Sequence, residues 1–150
     1  MRIVILLLAA LAVAANATAA APKGKVEFLS SGKVLPSKLP FSEAVRVGDV
    51  VFLSGQVGIA PGTMKVVEGG IKEETRQSLG NIKTTLSSHG YTMDDLVKCT
   101  VMLADIGEWA AMNEVYKTFF TDHFPARSAF GTSGLALNAR VEIECIAAAK

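Results

Sequence analysis

Phe41-Ser42-Glu43-Ala44-Val45-Arg46-Val47-Gly48-Asp49-Val50-Val51-Phe52-Leu53-Ser54-Gly55 is the stretch on which the fold turns. Its first arm alternates, Gly48-Asp49 supplies a two-residue turn, and Val50-Val51-Phe52-Leu53 runs back: a β-hairpin signature. The returning arm is apolar at both parities, and so is Val101-Met102-Leu103 further on. Strands of that kind need cover on both faces.

The cover on one face can be read directly. Ile71, Thr75, Leu79, Ile82 and Leu86 recur at spacings of four, four, three and four, one stripe of an amphipathic helix. Glu73 and Glu74 suit its positive end, and Gly90 suits the position just past its C-terminus. Gly80 in the middle costs about 1 kcal/mol relative to alanine, with no reason visible in the sequence. Thr92-Met93-Asp94-Asp95 carries the capping signal of a brief turn, and residues 97–104 read as a strand. Asp105-Ile106-Gly107-Glu108 is spaced as a capping box. Trp109, Met112, Tyr116 and Phe119 follow at three, four and three, a second helix closed by Pro125. Residues 126–132 and 140–148 finish as strands, and 25–29 make a short first strand. Residues 30–40 and 56–70 read as loops.

The order is strand, hairpin, helix, strand, helix, two strands. That is an α+β domain, a mixed six-stranded sheet with two helices on one face. Two helices cover one face only. The other is expected to meet another copy of the chain.

The N-terminus reads as an export signal. After Met1-Arg2 comes an unbroken apolar run from Ile3 to Ala15, shorter than the roughly 20 residues of a membrane span. Small residues around Ala17-Thr18-Ala19-Ala20 suit cleavage near Ala19 or Ala20, with Pro22 arguing against a cut after Ala21. Residues 1–19 are then the signal, 20–39 a leader with the first strand, and 40–150 the main domain. The product is expected in the periplasm or outside the cell, with no stable membrane association after cleavage. An uncleaved anchor, or a wrongly assigned start that leaves the protein cytoplasmic, is the alternative.

Composition excludes several classes. Without Arg2 the chain has 14 basic residues against 14 acidic ones, a balance unlike that of a nucleic-acid binder. Two cysteines and two histidines without ligand spacing give no support to a metal site. His89 and His123 lie near helix ends, where a solvated or capping role is expected. Cys99 alternates with Val97, Val101 and Leu103, and Cys145 with Val141 and Ile143, so both are expected on the apolar face. Neighbouring strands seldom offer disulfide geometry, so two buried free thiols are expected, with a bridge as the alternative. Ser54 has no base nearby and no nucleophile elbow, which rules out a serine hydrolase.

Chemistry concentrates in Phe124-Pro125-Ala126-Arg127-Ser128 and Arg140-Val141-Glu142-Ile143-Glu144-Cys145-Ile146. Arginine offers a planar fork of donors that fits a carboxylate bidentately. A glutamate among valines and isoleucines can have its pKa raised and exchange protons near neutrality. Together they suit a small acid carrying a group that needs water and protons.

With Ser54-Gly55-Gln56 and Asn113-Glu114-Val115-Tyr116, these blocks resemble those of the RidA (YjgF) family of imine deaminases, from about residue 40 to 147. The resemblance implies a chorismate-mutase-like fold, a homotrimer with clefts between subunits, and no cofactor or metal. It implies hydrolysis of enamine and imine acids, such as 2-aminoacrylate and 2-iminobutanoate, to 2-oxo acids and ammonia. Arg127 matches the carboxylate clamp and Glu142 the residue that positions water or shuttles a proton. Asn113 matches a polar cleft residue, and Ser54-Gly55 the cleft backbone. Two positions depart from the pattern: Phe41 stands where the family often has tyrosine, and Ala129 where many members have cysteine. Glu144 and Trp109 are read as a solvated strand residue and a core helix residue. A non-catalytic trimer that binds small carboxylates or shields unfolded chains is the alternative function. A ribonuclease activity, also attached to the family, is disfavoured by the neutral charge.

Overall fold

The computed structural model describes residues 24–36 and 38–149. The segment read as an export signal, its cleavage point and the start of the leader lie outside the described residues. The hairpin forms as expected: β2 (Ala44–Val47) pairs antiparallel with β3 (Val50–Leu53), Val47 opposite Val50. β1 (Val26–Leu29) adds to β2 on its outer side. β5 (Leu96–Leu103), β6 (Ala126–Gly131) and β7 (Val141–Ala148) complete the path β1-β2-β3-β7-β5-β6, in which only β5 and β6 run parallel.

The sheet has a seventh strand that the sequence did not reveal. β4 (Gln56–Val57) continues the line of β3 along β7, Gln56 opposite Ile143 and Val57 opposite Glu142. Between the pairs Phe52–Ile146 and Gln56–Ile143, three residues (Leu53, Ser54, Gly55) oppose two on β7. That one extra residue makes a β-bulge, which bends the strand at Ser54-Gly55.

α1 (Gly70–Ser88) and α2 (Trp109–Tyr116) pack on one face. Leu79, Ile82 and Leu86 of α1 and Met112 and Tyr116 of α2 share one core with Leu96, Cys99, Val101 and Leu103 of β5. Val141, Ile143, Cys145 and Ala147 of β7 complete it. α1 ends as read: Gly90 takes φ 82°, a left-handed conformation that favours glycine. Glu74, expected at the helix's positive end, is instead buried and accepts the Arg140 N–H at 2.7 Å. Thr92 and Asp95 cap a single 3₁₀ turn, Met93–Asp95. Asp105 caps the turn before α2 through the Gly107 N–H at 2.8 Å, while Glu108 is drawn to Arg140.

The structure supplies no reason for Gly80. Beyond its chain neighbours and the helix's own backbone, a Cβ there meets no atom of the described residues within 4 Å. Gly80→Ala is therefore expected to stabilise the domain by about 1 kcal/mol, through helix propensity and a less flexible unfolded chain. Urea unfolding should show a raised midpoint at unchanged slope.

Three further expectations need correction. Cys99 and Cys145 do lie on the helix-covered face, but they are joined as a disulfide, not free. They stand directly opposite in the β5–β7 register with Cα atoms 4.1 Å apart, the close spacing of a non-hydrogen-bonded antiparallel pair. Val97 does not share their face. It is the extra residue of a second bulge, between Leu96–Ala147 and Lys98–Ile146, and is 48% exposed; Leu96 takes its place in the core. Trp109 is 44% exposed, because it sits at the first turn of α2, over the sheet edge.

Among the described residues the opposite face is incompletely covered, with Val45 and Ile146 half-buried and Phe52 exposed. Phe28, Val45, Phe52 and Ile146 form one row across four strands, register partner to register partner. Phe28 is 75% exposed at the end of that row.

Candidate functional site

Parity sorts the predicted residues into two groups on opposite faces. Arg127 is the register partner of Cys99 across the parallel β5–β6 pair, so it points to the helix side. Asn113 of α2 meets it there: its Oδ1 accepts from Arg127 Nη1 at 2.6 Å. The Tyr116 ring centroid lies 4.6 Å from the guanidinium carbon and that of Trp109 lies 5.9 Å away. Trp109, Asn113 and Tyr116 are four and three residues apart, so one stripe of α2 holds the arginine. Ala129, two residues beyond on the same side, packs against the core and adds no polar group.

Arg127 has no acidic partner among the described residues; the ion pairs found there involve other basic groups. Of its five N–H donors, Asn113 occupies one. Asn113, Tyr116, Lys117, Phe124, Pro125 and Arg127 line an open cavity of about 390 Å³, within the range of small-molecule sites. No carboxylate of the described residues lines it. Burial pushes the Tyr116 phenol up to about 12 against a smaller downward pull from Arg127, so it stays neutral at ordinary pH. Its hydroxyl is buried without a hydrogen-bond partner among the described residues.

The second group gathers at the β3–β4 bulge. Glu142 is the register partner of Met102 and Val57, outward of the buried Val141 and Ile143. Its carboxylate lies over Gly55 so closely that a Cβ there would fall 2.0 Å from Glu142 Oε1. Glycine at 55 thus leaves room for the acid. Burial, helped by the like charge of Glu144, raises the pKa of Glu142 above the ordinary glutamate value. Glu144 is exposed, as expected. Ser54 Oγ donates to the Ser42 carbonyl at 2.7 Å and Ser54 N–H to the Glu43 carbonyl at 3.0 Å. Those bonds hold the segment bearing Phe41 beside the bulge, with the ring half exposed.

Phe41, Ser54, Gly55 and Glu142 therefore fall in one group around the bulge, and Asn113, Ala129 and Arg127 in another on the helix side. Among the described residues, Arg127 and Glu142 lie on opposite faces of the sheet. Trp109 and Tyr116 were missed as partners of Arg127. Their spacing about Asn113 was legible, but the position of Arg127 over that stripe was not.

An open mixed sheet carrying an acid over a glycine bulge and an unpaired arginine at its edge narrows the class considerably. The family described as endoribonuclease L-PSP matches residues 32–149, and the chain belongs to this family, which includes the Rid proteins. A RutC family protein of Pyrococcus horikoshii is 44% identical over 108 residues, 72% of this chain and 86% of that one. The 2-iminobutanoate/2-iminopropanoate deaminase of Capra hircus is 42% identical over 119 residues, 79% of this chain and 87% of that one. Among solved structures, RidA from the Antarctic bacterium Psychrobacter superposes with a TM-score of 0.77 at 34% identity, covering 82% of this chain and 99% of that one.

Proposed function

We propose that the protein hydrolyses 2-imino acids and their enamine tautomers, of the 2-iminobutanoate and 2-aminoacrylate type, to 2-oxo acids and ammonia. The carrying observation is Arg127: a guanidinium fixed by Asn113 and two ring faces, without a counter-ion among the described residues, at the wall of a cavity. The named activity of relatives at about 40% identity supports the same reading.

The reaction is assigned to clefts between copies in a homotrimer, one half-site from each of two copies. This places Arg127 of one copy opposite Glu142 of the next and buries the apolar row of Phe28, Val45, Phe52 and Ile146. Arg127 takes the substrate carboxylate bidentately. Glu142 removes a proton from water as its oxygen bonds to the imine carbon, and returns that proton to the nitrogen. It then takes the proton of the new hydroxyl and passes it to the amine as the C–N bond breaks, leaving a ketone and ammonia. A positioned acid–base group contributes about 10² to 10⁴-fold. Export of the mature chain, as the apolar N-terminus suggests, would place this chemistry on imines formed outside the cytoplasm.

The test uses an amino-acid oxidase that releases imino acids in the presence of semicarbazide. Wild type is expected to lower the yield of semicarbazone, and equal trapping with and without it would leave only a binding role. Glu142→Gln is expected to bind 2-oxo acids as wild type does while turnover falls about 10²-fold or more. The raised pKa favours the protonated form, so wild type loses the corresponding stability as pH rises through that value. The amide variant should lack this loss, which thermal midpoints between pH 4 and pH 8, on the order of the glutamate range, would reveal.

A further inference from the structure

Trp109 is out of place for a structural residue. Its neighbours on α2, Met112, Val115 and Tyr116, are buried, whereas its own ring remains 44% exposed. It is also the chain's single tryptophan. What the ring does have is Arg127, whose guanidinium carbon lies 5.9 Å from its centroid and 4.6 Å from that of Tyr116. Arginine is weakly hydrated, planar and attracted to aromatic faces, so two rings limit its rotation. Asn113 fixes one edge through Nη1. The donors that remain are those a carboxylate would take.

We propose that Trp109 and Tyr116 are positioning residues that hold Arg127 in its carboxylate-receiving orientation through their ring faces, not through the Tyr116 hydroxyl. This rests on the reading of Arg127 as the carboxylate clamp. It follows that Trp109 reports on the site, because a ligand that engages Arg127 changes the field around the indole.

The experiment titrates the full-length protein with 2-oxobutanoate and follows tryptophan emission, with calorimetry as a label-free check and imine hydrolysis measured in parallel. Wild type is expected to give a saturable emission change that Arg127→Ala lacks. Trp109→Leu keeps apolar bulk but removes the ring. By calorimetry it is expected to bind about fivefold more weakly, with KM raised in proportion and kcat changed less. Trp109→Phe should recover binding to within about twofold of wild type, and Tyr116→Phe should stay as close. If Trp109→Leu binds and turns over as wild type does, the positioning role is wrong while the clamp stands. A Tyr116→Phe that loses binding would overturn the ring-face assignment. Failure of wild type to bind any 2-oxo acid would remove the clamp and this role together.

Discussion

Arg127→Ala is expected to lower kcat/KM for imino-acid hydrolysis by roughly 10²- to 10⁴-fold. The figure follows from two charge-assisted hydrogen bonds to the substrate carboxylate, each worth about 1.5 to 3 kcal/mol where a charge is involved. The loss should fall mostly on KM, because the carboxylate is present in both ground and transition states. Arg127→Lys should recover little. A lysine ammonium has no planar fork for bidentate contact and cannot lie flat against the rings of Tyr116 and Trp109. Steady-state rates from the semicarbazide competition, with size-exclusion profiles to verify unchanged assembly, are the measurement. An alanine variant within threefold of wild type, as an order-of-magnitude limit, would mean the substrate acid is held elsewhere.

The second large effect concerns stability. Cys99 and Cys145 are separated by 46 positions, and closing a loop of that length removes unfolded-chain entropy worth about 4 kcal/mol. Replacing both with alanine, or unfolding and refolding the protein in reductant, is expected to lower the thermal midpoint by roughly 10 °C. The comparison must be made at one protein concentration, since assembly also raises the midpoint. Both cysteines are almost wholly buried, at 0% and 2% exposure, so reductant added to the native protein should act slowly. Alkylation of the unfolded, unreduced protein should find no free thiol. Equal midpoints with and without the bond would show that it contributes nothing.

Much of this architecture could be read from residue patterns because it rests on local periodicity. The hairpin, both helices and the long strands fall where alternation or a 3.6-residue stripe puts them. What failed depends on register, which a single chain's pattern does not contain. The partner of Cys99 is known only once β5 is set against β7, and one extra residue at Val97 changes which side chains lie beneath the helices. β4 was missed because two residues have no period. Its pairing nevertheless creates the bulge that seats Gly55 under Glu142. At the candidate site the residue types were legible from motifs. Their division between two faces was not, since it turns on Arg127 lying beside Cys99 and Glu142 beside Met102.

That division reaches into genetics. In an assembly of the kind proposed, one copy lends its arginine edge and the next its glutamate bulge, so a lesion in either half spoils only the clefts to which that half contributes. A copy damaged at Arg127 and another damaged at Glu142 each still carry one sound half, and where they meet in the right order the cleft is whole. Two alleles, each inactive alone, could then support one another in a mixed cell. A cell with one damaged and one sound allele would lose activity in proportion to the damaged edges, without the poisoning expected when every subunit must be intact.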